Sequence, residues 1–240
     1  MEIVAVPVLA DNYVWLIHNG DTGETAAVDP SLCDPVLDAA AARGWAVTQV
    51  LNTHWHPDHT GGNEGIKAAT GCTITAPAEA KRVSRVDQVV AEGDRVTVAG
   101  AQAVVWEIPA HTAGHIAYYF EDEGMIFVGD TMFAMGCGRL LEGTAEQMYS
   151  NLQRIAALPD DVRIYCGHEY TLANTRFAAH AEPENDAVSA RLDQVKALRD
   201  QALITLPTTV AEERGTNPFV RASNAEEFAR LRAEKDSFRS

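Results

Sequence analysis

Short apolar, β-branched runs closed by turn residues recur through the first two-thirds of the chain. They are "EIVAVPVL", "NYVWLIHN", "TAAVDP", "VTQVLNTH", "CTITAP", "DRVTVAG", "AQAVVWEIPA", "IAYYFED", "GMIFVGD" and "RIYCGHE". Each predicts a strand. Helical spacing falls between some of them, over 34–43, 62–70 and 144–157. Strands with interspersed helices predict a layered α/β core.

Beyond residue 168 the pattern changes. "YTLANTRFAAHAEP", "NDAVSARLDQVKALRDQAL" and "AEEFARLRAEKDSF" carry helical spacing, β-branched runs nearly vanish, and Pro183, Pro207 and Pro218 punctuate the segments. The pattern predicts a domain over 1–168 followed by a small helical domain over 169–240.

Composition narrows the partners. The formal net charge of −15 repels phosphate backbones and anionic membranes, which excludes nucleic acid and membrane surfaces as the main targets. An anionic small molecule still fits, provided cations are gathered at one place. No run approaches the roughly 18 apolar residues of a membrane span. The opening "MEIVAVPVLADNYVWLI" reads as part of the fold and not as an export signal, so a cytoplasmic location is expected. Cys33, Cys72, Cys137 and Cys166 are scattered and form no paired motif, so they are expected as buried small apolar side chains. A monomer is expected.

The chemistry concentrates in "NTHWHPDHTGG", where His54, His56, Asp58 and His59 occupy six positions at the end of a predicted strand. His54 and His56 are two apart, so on extended backbone they point the same way. Pro57 bends the chain because its ring fixes φ and it donates no hydrogen bond. Gly61 and Gly62 are expected to let the backbone turn tightly into the next helix. Imidazole and carboxylate crowded together are ligands for zinc and other borderline divalent metals.

His111, Asp130 and His168 each follow an apolar run, where ligand sites collect in open α/β sheets. Five histidines and two aspartates exceed one tetrahedral ion and suit two, with a carboxylate such as Asp130 shared between them. His115 reads equally as a group that orients a ligand and as a hydrogen-bonded core histidine. His18 and His180 lie outside any cluster. No GxSxG elbow is present, and Thr53, Thr60, Thr112 and Thr131 read as turn groups or supports for the ligands.

"THWHPDHTGG", "HTAGH", "VGDTMF" and "CGHEY", in that order, resemble the metallo-β-lactamase superfamily. The resemblance implies an αββα sandwich with a dinuclear metal site. It implies His54, His56 and His111 on one ion, Asp58, His59 and His168 on the other, and Asp130 bridging. Further stretches narrow it: "VPVLADNYVWLI", "GCGRLLEGTAEQM", "CGHEYTLANTRFA", "EPENDAV", "TLPTTVAEE", "TNPFVR" and "RAEKDSF" resemble the hydroxyacylglutathione hydrolases, the glyoxalase II family. This likeness runs along essentially the whole chain, helical tail included.

The family likeness implies hydrolysis of S-D-lactoylglutathione to D-lactate and glutathione, the second step of methylglyoxal detoxification. It implies a metal-bridged hydroxide as nucleophile, with Asp58 helping to orient it, and zinc, iron or manganese as the metal. Glutathione contacts are implied at Arg139, Tyr170, Arg232 and Lys235. The residues themselves support part of this, since Arg232 and Lys235 are three apart on a predicted helix and share a face. A solvated face with an Arg230–Glu234 pair accounts for that spacing as well. One departure is Leu141, which stands where family members commonly carry an aromatic, so one substrate contact is expected to be missing. A related branch, the glutathione persulfide dioxygenases, uses a similar ligand set with one iron and is the alternative; it lacks the "TNPF" and RxxK tail present here. An exported β-lactamase would need a signal sequence that the opening stretch does not resemble.

Overall fold

The computed structural model describes residues 1–239. Contacts divide the chain into two compact units, residues 1–107 with 114–129, and residues 108–113 with 130 onward.

The first unit contains strands β1 (Glu2–Val8), β2 (Asn12–His18) and β3 (Glu24–Val28), helix α1 (Asp34–Ala41) and strand β4 (Ala46–Leu51). The one-turn helix α2 (Pro57–Thr60), helix α3 (Asn63–Thr70) and strand β5 (Thr73–Ala76) follow. Strands β6 (Gln88–Val89), β7 (Arg95–Val98), β8 (Ala101–Glu107), β9 (Ile116–Phe120) and β10 (Met125–Gly129) complete it. One sheet runs β1 to β6 in sequence order. Its first three strands pair antiparallel, with Val4 opposite Leu16 and Val6 opposite Val14. From β3 onward the pairing is parallel, which requires the crossovers that α1 and α3 provide.

Helices α1 and α3 bury one stripe each. Val36, Ala40 and Ile66 pack with Val6, Val14, Leu16, Val47, Val50 and Ile74 of the strands. Burying such side chains contributes roughly 1.5–3 kcal/mol each. The other strands of this unit run β10-β9-β8-β7, all antiparallel. Every position of β9 and β10 is buried, so both faces of these strands are covered. Tyr118 on β9 is fully buried, and its hydroxyl reaches the carbonyls of Asn52 (3.0 Å) and Thr75 (3.2 Å) at the ends of β4 and β5. Burial pushes its pKa well up, so it remains a donor.

The second unit contains β11 (Met132–Phe133), β12 (Gly136–Cys137), α4 (Ala145–Ala156), β13 (Arg163–Cys166), α5 (Thr171–Ala181) and α6 (Asp186–Asp200). It closes with β14 (Thr208–Thr209), α7 (Val210–Thr216), α8 (Pro218–Arg221) and α9 (Ala225–Ser237). Pattern reading expects helices where α5, α6 and α9 lie, and does not anticipate α7 and α8. These two are set by caps. Thr209 and Glu212 form a reciprocal capping box, and the Asn217 side chain accepts from the Phe219 amide at the start of α8. In the core of this unit Phe219 stacks on Phe177 and meets Phe228 edge-on.

A buried polar network holds the β11–β12 hairpin. The Glu213 carboxylate accepts from Arg191 (3.0 Å), the Met135 amide (2.8 Å) and Asn217 Nδ2 (2.8 Å). Asn217 Nδ2 also reaches the Gly136 carbonyl at 3.0 Å. Met135, at the hairpin tip, has φ +56°, and the Glu213 contact holds it there. None of the four cysteines is in a disulfide, and no helix among the described residues is long and apolar enough to cross a membrane.

Candidate active site

In the first unit, β4 stops at Leu51, so His54 and His56 sit in a loop and not on the extended strand end that the sequence pattern suggests. The loop is compact because its two ends are tied. The buried amides of Asn52 and Asn63 pair at 2.8 Å, and Asn52 Nδ2 also donates to the His59 carbonyl at 2.8 Å. Pro57 opens α2, where its missing N–H costs nothing, and places Asp58 and His59 on that single turn. Gly61 and Gly62 have ordinary helical φ values of −61° and −83°. Their need for glycine is space: a Cβ would come within 2.6 Å of the Ser31 carbonyl at Gly61 and 2.7 Å of the Leu32 backbone at Gly62.

Asp29 organises the histidines. Its Oδ1 accepts from the Thr53 amide (2.7 Å), and its Oδ2 accepts from the Thr53 hydroxyl (2.7 Å) and from His59 Nδ1 (3.1 Å). The carboxylate can only accept, so His59 carries its proton on Nδ1 and presents an Nε2 lone pair, 3.5 Å from Asp58 Oδ2. The Thr53 hydroxyl has one proton, and it goes to Asp29. It therefore accepts from His54 Nδ1 at 3.0 Å, and His54 too presents Nε2, 3.1 Å from His56 Nδ1. Fully buried His115 stacks on His54 at 4.6 Å. Asp58 is oriented by Asn12, whose Nδ2 lies 3.1 Å from Oδ2, and the Ser31 hydroxyl donates to the Asp58 carbonyl.

In the second unit, His111 lies on the 108–113 segment, Asp130 just before β11, and His168 two residues after β13. The Arg139 carbonyl accepts from His111 Nδ1 at 3.0 Å, which again presents Nε2 as the atom that could ligate a metal. Asp130 Oδ2 lies 3.5 Å from His111 Nε2 and 3.3 Å from His168 Nε2. The His168 ring stacks on Tyr170 at 4.6 Å and 5°. Gly129, immediately before Asp130, has φ +48°, and a Cβ there would meet His115 Cε1 at 2.9 Å.

These separations test the metal reading. Ligand bonds of about 2.0–2.1 Å in a tetrahedron place donor atoms roughly 3.3 Å apart. The four donor pairs above span 3.1 to 3.5 Å. All are nitrogen or carboxylate oxygen, and the contacts of Asp29, Thr53 and Arg139 set tautomers of His59, His54 and His111 that present Nε2 as a donor atom for metal. The residues fit divalent metal. Asp29, His54 and His59 also form a group of donors. Both Asp29 oxygens are already engaged, so Asp29 orients His59 directly and His54 through Thr53.

A cavity of about 400 Å³ in the second unit is lined by His111 and Asp130 at one part and by Arg139, Tyr170, Arg232 and Lys235 elsewhere. Three cations are thus gathered on a chain of net charge −15. Arg232 is buried, donates to the Cys137 carbonyl (2.9 Å) and Asp236 (2.8 Å), and lies over the Phe219 ring. Lys235 donates to the Ala173 carbonyl and faces the rings of Phe177 and Phe238. Burial, and then the Arg232 charge beside it, lower its pKa to about 8. The solvated-face alternative holds for Arg230 and Glu234, which do pair at 3.1 Å, but not for Arg232. Leu141 is exposed and stands outside the cavity lining. Cys137 lines the cavity, but burial pushes its thiol up to about 11, so it stays protonated and is no nucleophile.

Comparison with known proteins agrees with the residues. Residues 10–168 match the metallo-beta-lactamase superfamily, and residues 169–238 match the hydroxyacylglutathione hydrolase C-terminus. A hydroxyacylglutathione hydrolase of Methylococcus capsulatus is 49% identical, covering 96% of this chain and 91% of its own. One of Erythrobacter litoralis is 46% identical, covering 99% and 100%. The chain belongs to the hydroxyacylglutathione hydrolases. Among solved structures, ETHE1 from Myxococcus xanthus superposes with a TM-score of 0.76 at 25% identity, covering 100% of this chain and 93% of that one. The fold of this family member is therefore the metallo-β-lactamase fold with a C-terminal helical region, as the motif order implies.

Sequence reading missed Asn12, Asp29 and Ser31 as supports of the family's histidine motif, and Asp236 beside Arg232. A signal existed for the first three. Each is a polar residue adjoining an apolar strand run, in "ADNYVW" and "AVDPS".

Proposed function

We propose that the protein hydrolyses the thioester of S-D-lactoylglutathione and related S-2-hydroxyacylglutathiones, releasing the 2-hydroxy acid and glutathione, the second step of methylglyoxal detoxification. The observation that carries this is the single cavity in which three cations and Tyr170 share walls with His111 and Asp130. It suits a flexible anionic peptide whose reactive end lies near the metal ligands. Relatives at 46–49% identity are named for this activity.

We assign His54, His56 and His111 to one ion, Asp58, His59 and His168 to the other, and Asp130 to both. The ligands then fall within residues 1–168, and the segment from 169 onward supplies substrate contacts. Two divalent ions, zinc being suited to this donor set, supply when bound an acidified water and an electrophile for the carbonyl oxygen. Asp58, itself held by Asn12 Nδ2, would help to orient the attacking group. Arg139, Tyr170, Arg232 and Lys235 hold the peptide arm so that the thioester carbon is in reach. No side chain need protonate the departing sulfur, because a thiol is acidic enough, at a pKa of about 8.5, to leave as thiolate. Unpaired cysteines suit a reducing compartment, and we place the protein in the cytoplasm as a single-chain enzyme.

The test is release of thiol from lactoylglutathione by purified protein whose metal content is measured on the same sample. Hydrolysis that stops on chelation and returns with zinc, iron or manganese is expected. A folded, metal-loaded protein that leaves lactoylglutathione intact overturns the reading.

A further inference from the structure

Arg232 stands out among the cavity's cations because so much of its guanidinium is already committed. Its Nη1 donates to the Cys137 carbonyl at 2.9 Å, its Nη2 to Asp236 Oδ1 at 2.8 Å, and the Phe219 ring lies 5.2 Å from its carbon. Its Nε is buried and has no hydrogen-bond partner among the described residues. A buried N–H left without an acceptor is costly, so the group is set for a ligand and not for stability alone.

Asp236 is the one acid in the cavity lining besides Asp130. Helix stability does not account for it. It occupies the last turn of α9, where the helix dipole disfavours negative charge, whereas Glu226 and Glu227 sit in the first turn as the dipole favours. Its pair with Arg232 also has the cation N-terminal to the acid, the weaker order for two residues four apart. Glu234, the other late acid, is engaged by Arg230 and His180 on the outer side.

We infer that Asp236 is a positioning residue for substrate: it fixes the Arg232 guanidinium against the Cys137 carbonyl so that the remaining N–H edge receives the carboxylate of the peptide arm. This rests on the assignment of Arg232 to substrate binding made above. Two consequences of an acid there oppose each other. Its charge lowers the attraction of the cavity for anions, and its hydrogen bond orients the guanidinium. The Asp236 side chain is 51% exposed, so solvent screens its charge, while the buried guanidinium can turn only within what its partners allow. Orientation therefore wins.

The experiment compares D236A, D236N and R232A by steady-state hydrolysis of lactoylglutathione and by calorimetric binding of glutathione. D236A is expected to raise KM about fivefold to twentyfold, with kcat within twofold, and to weaken glutathione binding in parallel. D236N keeps an oxygen that accepts from Nη2, and is expected to bring KM back to within about twofold of the parent. An unchanged KM in D236A, or a fall in kcat at constant KM, overturns the inference. So does a D236N variant as impaired as D236A, because the charge and not the hydrogen bond would then matter. R232A separates the two layers. If R232A raises KM and D236A does not, the positioning role fails alone. If R232A leaves KM and glutathione binding at the parent values, the substrate assignment of Arg232 fails, and the role of Asp236 with it.

Discussion

The Thr53 hydroxyl lies 2.7 Å from the Asp29 carboxylate, and that one contact decides which nitrogen of His54 faces the metal site. Thr53 gives Asp29 its only proton and must then accept from His54 Nδ1. Asp29 does the same directly for His59. One carboxylate therefore sets the tautomers of both histidines. Replacing Asp29 with Asn puts a donor where acceptors are required. D29N is expected to lower metal affinity about tenfold to a hundredfold, the usual effect of losing such a support. Metal per protein after dialysis against a graded chelator reads this directly. Retention equal to the parent would rule out the orienting role.

Asp130 should matter more to metal content than any residue serving one ion. Its Oδ2 lies near both His111 and His168, so on the proposed assignment its loss would remove a ligand shared by both ions. D130A is expected to lose both ions and hydrolysis together, whereas H56A is expected to retain partial occupancy. Full occupancy with normal turnover in D130A would sink the bridging assignment.

Affinity for the peptide arm should depend on pH through Lys235. Burial and the Arg232 charge lower its pKa from 10.5 to about 8, with the Asp236 carboxylate pulling the other way. Below about pH 8 the ammonium is present and, on the proposed assignment, would hold a carboxylate. As pH rises through this value the charge is lost from the ligand-free protein, and binding weakens. A bound carboxylate raises the pKa, so the loss levels off at higher pH. Stability runs the opposite way. The folded pKa lies below the unfolded one, so this group's contribution to stability grows as pH rises from about 8 towards 10.5. Glutathione dissociation constants from pH 6.5 upward, to about 9.5, give the profile. K235R, whose charge persists, is expected to flatten it. An equal slope in K235R and the parent would exclude Lys235 as its source.

Glu213 should be a stability residue. It is buried, pairs with Arg191, and accepts from Met135 and Asn217. Removing one partner of a buried pair leaves an uncompensated charge, at a cost of roughly 3–5 kcal/mol. E213A is therefore expected to lower the denaturation midpoint strongly. A loss below about 1 kcal/mol in denaturant titration would mean that water or rearrangement replaces the network.

Strands, the three long tail helices and the metal-binding motif were legible in the chain because each is a local property. Alternation and β-branching act between near neighbours, and His54, His56, Asp58 and His59 fall within six positions. The short helices α7 and α8 were not legible as periodic runs, because caps at Thr209 and Asn217, and not an apolar stripe, delimit them. The family could be named from motif order alone. What only the tertiary structure decided are the contacts between distant residues. Asp29 serves Thr53 across 24 positions and His59 across 30. Arg232 meets the Cys137 carbonyl across 95. A carboxylate that orients a ligand looks in the sequence like any aspartate at a strand end, and its role exists only once folding brings the proton donors to it. The same holds for Asp236, whose sequence neighbours suggest an ordinary solvated helix end, and whose position beside a buried guanidinium depends on how α9 packs against Phe219 and the β11–β12 hairpin.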